Sequence, residues 1–153
     1  MIKLKEILLP TDLSEYSEHA LAYARELAST YKSRLHLVHI VDTHWVGPAN
    51  AAEFPGQVSN YMQEFRRSGA EALERMADGL KDVAVERSVI VGAPHVEIVR
   101  YARENDIDVI VLATHGRRGL AHALIGSVAE KVVQMAPCPV LTVKHPEHEF
   151  VVP

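Results

Sequence analysis

The sequence predicts an α/β fold: an open, doubly wound, five-stranded parallel sheet with helices on both faces. Short apolar runs alternate with amphipathic helical stretches along all 153 residues, the pattern of strand–helix–strand crossovers. Two of the runs, Ile7-Leu8-Leu9 and Val109-Ile110-Val111-Leu112, contain no polar residue, as befits strands covered on both faces. Turn-forming residues close the runs at their carboxyl ends, as in Pro10-Thr11-Asp12 and Gly92-Ala93-Pro94.

The first strand is expected over Lys5–Leu9. Ser14 then stands as a helix N-cap, with Glu15 and Glu18 in the first turn where the helix dipole favours acids. Ala20, Leu21, Ala24, Leu27, Ala28 and Tyr31 follow helical spacing on one face. A second strand covers Arg34–Val41. Asp42–Gly56, with two prolines and two glycines, reads as a long mobile loop. Tyr61, Phe65, Leu73, Met76 and Leu80 mark a second helix. The third strand runs Val83–Val91, followed by a helix with Ile98, Val99 and Ala102 inward. The fourth strand runs Ile107–Ala113. After a polar loop over Thr114–Ile125, Ser127 opens a helix carrying Val128, Val132 and Val133 on one side. The last strand is Pro139–Val143.

Strand order follows from polarity. Glu86-Arg87-Ser88 puts the third strand at an edge, and the short, proline-flanked last strand suits the other edge. Strands one and four are then central neighbours. The winding reverses between them, and a crevice opens at their carboxyl ends. No internal repeat interrupts the pattern, so residues 1–153 read as one domain.

Composition narrows the function. Apolar residues make up 48% and charged residues 24%, ordinary for a soluble globular protein. The net charge of -4 leaves no domain-wide basic field, which argues against nucleic acid as a partner. No apolar run approaches the ~18 residues that span a bilayer. Met1-Ile2-Lys3-Leu4-Lys5-Glu6 enters a strand with no cleavage site and does not read as a signal peptide. The one cysteine, Cys138, forms no internal disulfide, so a cytoplasmic location is expected.

Two loops should meet at the crevice: Pro10-Thr11-Asp12, and Ala113-Thr114-His115-Gly116-Arg117-Arg118-Gly119 running on to Gly126-Ser127. The second ends at a helix start, where backbone N–H groups and the dipole favour an anion. Gly126 would let a phosphate approach the backbone, the Ser127 hydroxyl can donate to it, and Arg117 and Arg118 add positive charge. Equally, the glycines could only shape a turn and Ser127 only cap a helix. Asp12 suits ribose hydroxyls as acids do in dinucleotide sites, and equally suits a cap on the first helix. His115 is within reach of a phosphate or ribose, or is a solvated loop residue.

His36 and His39 lie three apart on a strand and face opposite ways, so they share no metal. His145 and His148 sit in the tail. No cysteine or carboxylate cluster accompanies the nine histidines, so no zinc constellation is expected. Cys138, between Pro137 and Pro139, reads as structural.

From end to end the sequence resembles the universal stress protein family. The matching segments are Ile7-Leu8-Leu9-Pro10-Thr11-Asp12-Leu13-Ser14, Leu37-Val38-His39-Ile40-Val41-Asp42, Val91-Gly92-Ala93-Pro94, Asp106-Ile107-Asp108-Val109-Ile110-Val111, Gly126-Ser127-Val128-Ala129-Glu130-Lys131-Val132-Val133 and Pro137-Cys138-Pro139-Val140-Leu141-Thr142-Val143. The nucleotide-binding branch of that family carries Gly, two residues, Gly, nine residues, then Gly-Ser or Gly-Thr. Here nine residues, Arg117 to Ile125, separate Gly116 from Gly126-Ser127, and Ala113 replaces the first glycine. If position 113 needs a positive φ, alanine costs on the order of 1 kcal/mol; with ordinary strand angles it costs almost nothing.

The resemblance implies a Rossmann-like fold of the adenine nucleotide alpha hydrolase-like kind and ATP as ligand, with Mg²⁺ arriving on its phosphates. It places adenine near Ile40, ribose near Asp12, and phosphates on Gly116 and Gly126-Ser127-Val128. Pro10, Thr11, Gly92, Ala113, His115, Arg117 and Arg118 complete the candidate site. The edge strand Val140-Leu141-Thr142-Val143 would pair with its copy in a homodimer, with Phe150-Val151-Val152 extending the contact. The function implied is an ATP-binding stress-response module acting through nucleotide-dependent contacts with a protein partner. The alternative is a dimeric interaction protein of the same family that binds no nucleotide. No general base is aimed at the phosphates, so hydrolysis would be slow at most.

Overall fold

The structure, a computed structural model, describes residues 2–44, 47, 52–115 and 125–145. Its elements are β1 (Glu6–Thr11), α1 (Glu15–Tyr31), β2 (Arg34–Asp42), α2 (Pro55–Asp78), β3 (Ala84–Gly92), α3 (Pro94–Glu104), β4 (Val109–Ala113), α4 (Ser127–Met135) and β5 (Val140–Val143). The strands form one sheet in the order β3-β2-β1-β4-β5, every pair parallel. The expected doubly wound α/β sheet is therefore present, with β1 and β4 adjacent and β3 and β5 at the edges.

Alternation along β1 divides the core. Ile7 and Leu9 face α1 and α2, packing with Ala20, Ala24, Ala28 and Leu73. Leu8 faces α3 and α4, packing with Ile98, Ala102, Ala129 and Val132. The alanines at four-residue intervals bring α1 close to the sheet, since they lie on one helix face and carry little bulk. On α2 only Gly69 and Leu73 are buried, and its earlier Tyr61 and Phe65 are exposed. A Cβ at Gly69 would stand 2.7 Å from the His39 ring, so glycine is what lets α2 pass over β2.

Several expected boundaries shift for physical reasons. β1 runs two residues past Leu9, because Pro10 and Thr11 pair with Val38 and His39 of β2. Its pairing with β4 covers only Ile7↔Val109 and Leu8↔Ile110. Pro10, which has no N–H to give, thus stands where β1 pairs on one side only. The loop expected to reach Gly56 ends sooner, since α2 starts at Pro55, a residue suited to the first helical turn. Tyr31 is exposed rather than on the inward face of α1. Lys32 ends that helix at φ 55, and Ser33 N–H donates to the Ala28 carbonyl at 2.9 Å, a Schellman closure. On α4, Val132 is buried and Val128 half-buried, whereas Val133 is exposed and Ala129 takes the inward position. Val133 lies one residue, about 100° of rotation, from Val132.

A buried polar chain ties the amino ends of the strands together. His36 Nε2 is 2.8 Å from Glu6 Oε2, and Nδ1 is 2.9 Å from the Tyr101 hydroxyl. The His36 ring thus bridges the Glu6 carboxylate and the Tyr101 hydroxyl. Burial raises the Tyr101 phenol above its ordinary 10.0, assisted by Glu86 and Glu6 and opposed by a hydrogen bond with Ser88. No helix among the described residues is long and apolar enough to cross a membrane.

Candidate functional site

The crevice follows from the unequal pairing of β1. Beyond Leu8 and Ile110 the pairing of β1 with β4 ends, while β1 stays with β2 as far as Thr11. The two central strands thus part at their carboxyl ends, where the winding reverses.

On the β1 side, the turn into α1 is closed by its own side chains. Asp12 Oδ1 accepts from Ser14 N–H at 3.0 Å, the Ser14 hydroxyl at 2.5 Å and the Ser17 hydroxyl at 2.9 Å. Thr11 Oγ1 accepts from Leu13 N–H and donates to the Ser17 hydroxyl, each at 3.0 Å. These bonds hold Leu13 at φ 63, a conformation that costs a non-glycine residue about 1 kcal/mol or more. Ser14 occupies the N-cap position as expected, but its hydroxyl bonds Asp12 and makes no cap bond to the helix. Asp12 instead closes the turn that leads into the helix. His39 Nδ1 lies 2.9 Å from the Thr11 carbonyl, which ties this turn to β2.

On the β4 side, Ala113 pairs with Val143 as the last residue of its strand and packs against the α1-facing core. It is absent from the positive-φ residues, which among the described residues are Leu13, Lys32, Asp106 and Gly92. Alanine at 113 therefore carries no backbone strain. Thr114 and His115 follow, both buried, with Thr114 Oγ1 3.1 Å from His115 Nδ1. Thr114 N–H donates to the Val143 carbonyl at 3.0 Å, and the Thr114 carbonyl accepts from Gly126 N–H at 2.6 Å. That second bond joins the two ends of the intervening loop. Its neck is tight: a Cβ on Gly126 would lie 3.0 Å from the Thr114 carbonyl oxygen. Gly126 itself has φ -73 and ψ 156, which any residue adopts, so glycine is required for space rather than angle.

The neck delivers the start of α4 to the crevice. Glu130 N–H makes the first intrahelical bond, to Gly126 O at 2.9 Å. Ser127, Val128 and Ala129 N–H groups precede it, on the positive end of the helix dipole. Ser127 is exposed and Val128 half-buried. Gly126 N–H, by contrast, is spent on Thr114.

Of the other sequence-derived residues, Ile40 is buried against Ile98 and Leu112 on the α3 face of β2. Gly92 ends β3 opposite Asp42, and a Cβ there would meet the Glu97 side chain at 2.7 Å. Gly116, Arg117 and Arg118 lie outside the described residues, as do His148 and Phe150-Val151-Val152. Cys138 is half-buried. Burial pushes its thiol up, with Asp108 adding to the effect, which suits a structural role over a nucleophile. Two further groups hold the site in shape, the Ser17 hydroxyl and the Thr114 carbonyl, and neither is among the residues the sequence picked out. Ser17, three residues after Ser14, carried a local signal; the Thr114–Gly126 bond carried none.

The fold and this geometry define the class: a doubly wound α/β module whose sheet opens at its switch point onto a glycine-hinged helix start. The chain belongs to the universal stress protein family, whose model matches residues 3–144. A universal stress protein of Methanocaldococcus jannaschii is 33% identical over 147 residues, spanning 95% of this chain and 85% of the relative. The solved structure of a second universal stress protein of that organism matches with a TM-score of 0.81 at 30% identity, covering 95% of this chain and 99% of the other. A universal stress protein crystallised in complex with cAMP matches with a TM-score of 0.64 at 25% identity, covering 94% and 98%.

Proposed function

We propose that this protein is a cytoplasmic, single-domain stress-response module that binds ATP or another adenine nucleotide in the crevice between β1 and β4. The observation that carries the reading is the 2.6 Å bond from Gly126 N–H to the Thr114 carbonyl, which ties the start of α4 to the carboxyl end of β4. Ser127, Val128 and Ala129 N–H groups and the Ser127 hydroxyl suit phosphate oxygens, since a helix start offers several donors and a favourable dipole. Asp12, oriented by its three donors, suits the ribose hydroxyls, and the β2 end near Ile40 suits adenine. Gly116, Arg117 and Arg118 are proposed as further phosphate contacts from the loop. Mg²⁺ would enter on the phosphates, supplying charge neutralisation there. The cAMP complex of a relative 25% identical supports an adenine nucleotide as the ligand class.

Nucleotide occupancy is proposed to alter contacts with a protein partner. It is also proposed to act within a homodimer joined through β5, an edge strand on which Leu141 is 38% exposed. Calorimetric titration with ATP tests the first claim: saturable heat, weakened several-fold by Ser127→Ala, is expected. No heat up to millimolar nucleotide overturns it. Light scattering tests the second, with a monomer mass at micromolar concentration as the refuting result.

A further inference from the structure

The histidines show no metal spacing along the chain, yet the fold brings two of them together. His145 stands two residues beyond Val143, the end of β5, and its ring centre lies 5.7 Å from that of His19 on α1, with the planes 62° apart. Tyr16, one turn earlier on α1, meets His145 edge-on at 5.1 Å, and Tyr23, one turn later, meets His19 at 5.6 Å. His145 is thus seated between Tyr16 and His19, and neither imidazole is buried.

The spacing matches that of two imidazoles sharing a metal. An ion about 2.0–2.1 Å from one nitrogen of each ring, at angles near tetrahedral, sets the ring centres about 5–6 Å apart. Histidine χ2 is a broad torsion, so both rings can turn a nitrogen toward a common point without leaving their χ1 wells. Zn²⁺ and Cu²⁺ favour imidazole among the available donors.

We propose that His19 and His145 form a binding site for a divalent transition-metal ion, which clamps the exit of β5 onto α1. Among the described residues, no group of three or more His, Cys, Asp or Glu side chains is placed to hold a metal ion. Among the described residues the sphere thus has two protein ligands, with water at the remaining positions, which makes the site exchangeable and of moderate affinity. An ion that binds the folded chain alone stabilises it by mass action. This site shares no residue with the proposed nucleotide site, and its test does not depend on whether the crevice takes a nucleotide.

The test is calorimetric titration of the full chain with ZnCl₂ in metal-free buffer, alongside thermal unfolding with and without zinc. His19→Gln, His145→Gln and the exposed control His44→Gln are compared. One saturable zinc per chain is expected, weakened at least tenfold by His19→Gln and equally by His145→Gln, and unchanged by His44→Gln. Zinc should raise the melting temperature of the wild type but of neither ligand variant. Absence of saturable binding overturns the proposal. So does binding that survives His19→Gln, since the metal would then sit on the chain beyond β5 alone.

Discussion

Replacing Ala113 with glycine restores the family's first motif glycine and tests whether the methyl group matters to ligand binding. Ala113 lies in β4, paired with Val143, and its φ is not positive. Its methyl packs toward the core between the sheet and α1. Glycine there relieves no strain, because there is none to relieve. It adds backbone entropy to the unfolded chain, worth roughly 0.5–1 kcal/mol in a strand, and removes a partly buried methyl. Together these cost about 1 kcal/mol. For a chain of 153 residues that lowers the melting temperature by about 2–4 °C. ATP affinity, measured by calorimetry on both proteins, should agree within about twofold, a difference of ~0.4 kcal/mol. Tightening of tenfold or more in Ala113→Gly would refute the reasoning. It would mean that the bound state needs backbone angles or space that alanine denies.

Gly126→Ala places a Cβ 3.0 Å from the Thr114 carbonyl oxygen, and the neck must open to admit it. A shift of a few tenths of an ångström leaves the 2.6 Å bond within hydrogen-bond range, so no more than about 0.5 kcal/mol should be lost, with ATP binding weakened at most about twofold in the same titration and the melting temperature falling by only a few degrees. Lys32→Gly removes the cost of a left-handed non-glycine residue at the end of α1, and urea denaturation should show about 0.5–1 kcal/mol of added stability. Tyr101→Phe leaves the buried His36 Nδ1 without its hydrogen-bond partner, which should cost about 1–3 kcal/mol in urea at neutral pH. Because folding raises the Tyr101 pKa, its protonated form is favoured in the fold, so its contribution is whole below pH 10.0 and declines as pH climbs through the raised value. The stability–pH curve of Tyr101→Phe should therefore fall less steeply above pH 10.0 than that of the wild type.

Strand order was legible because burial leaves a direct mark on composition. A strand covered on both faces has no use for polar side chains, hence Ile7-Leu8-Leu9 and Val109 to Leu112 at the centre. The outermost strand tolerates Glu86-Arg87-Ser88. Where strands end was less legible, because extension depends on a neighbour. Pro10 reads as a terminator in isolation, yet β2 runs alongside and carries β1 on to Thr11. Tyr31 and Val133 are apolar enough to read as inward. One falls at the closing turn of α1, and the other lies about 100° from the buried stripe of α4. Hydrophobicity alone does not separate an inward residue from an exposed one at such margins.

At the crevice, glycine spacing picked out Gly126-Ser127 and strand position picked out Asp12, but neither could say where hydrogen bonds go. The bond from Gly126 to Thr114 spans 12 residues and exists only once β4 and α4 are placed. It changes the part that Gly126 plays: its N–H serves as a clasp, and the donors offered outward are those of Ser127, Val128 and Ala129. For Asp12, capping and ligand contact looked like competing readings of one carboxylate. The geometry shows a turn closure instead, because Ser14 and Ser17 gather on Oδ1 and thereby fix the carboxylate between β1 and α1. A carboxylate left to rotate would have to be ordered again by each ligand at an entropic cost. The strained Leu13 next to it is held by its own N–H bond to Thr11 Oγ1, so the turn is stiff on both sides of Asp12. Stiffness at the β1 turn and closure at the Thr114–Gly126 neck are thus the two features on which the proposed nucleotide site rests.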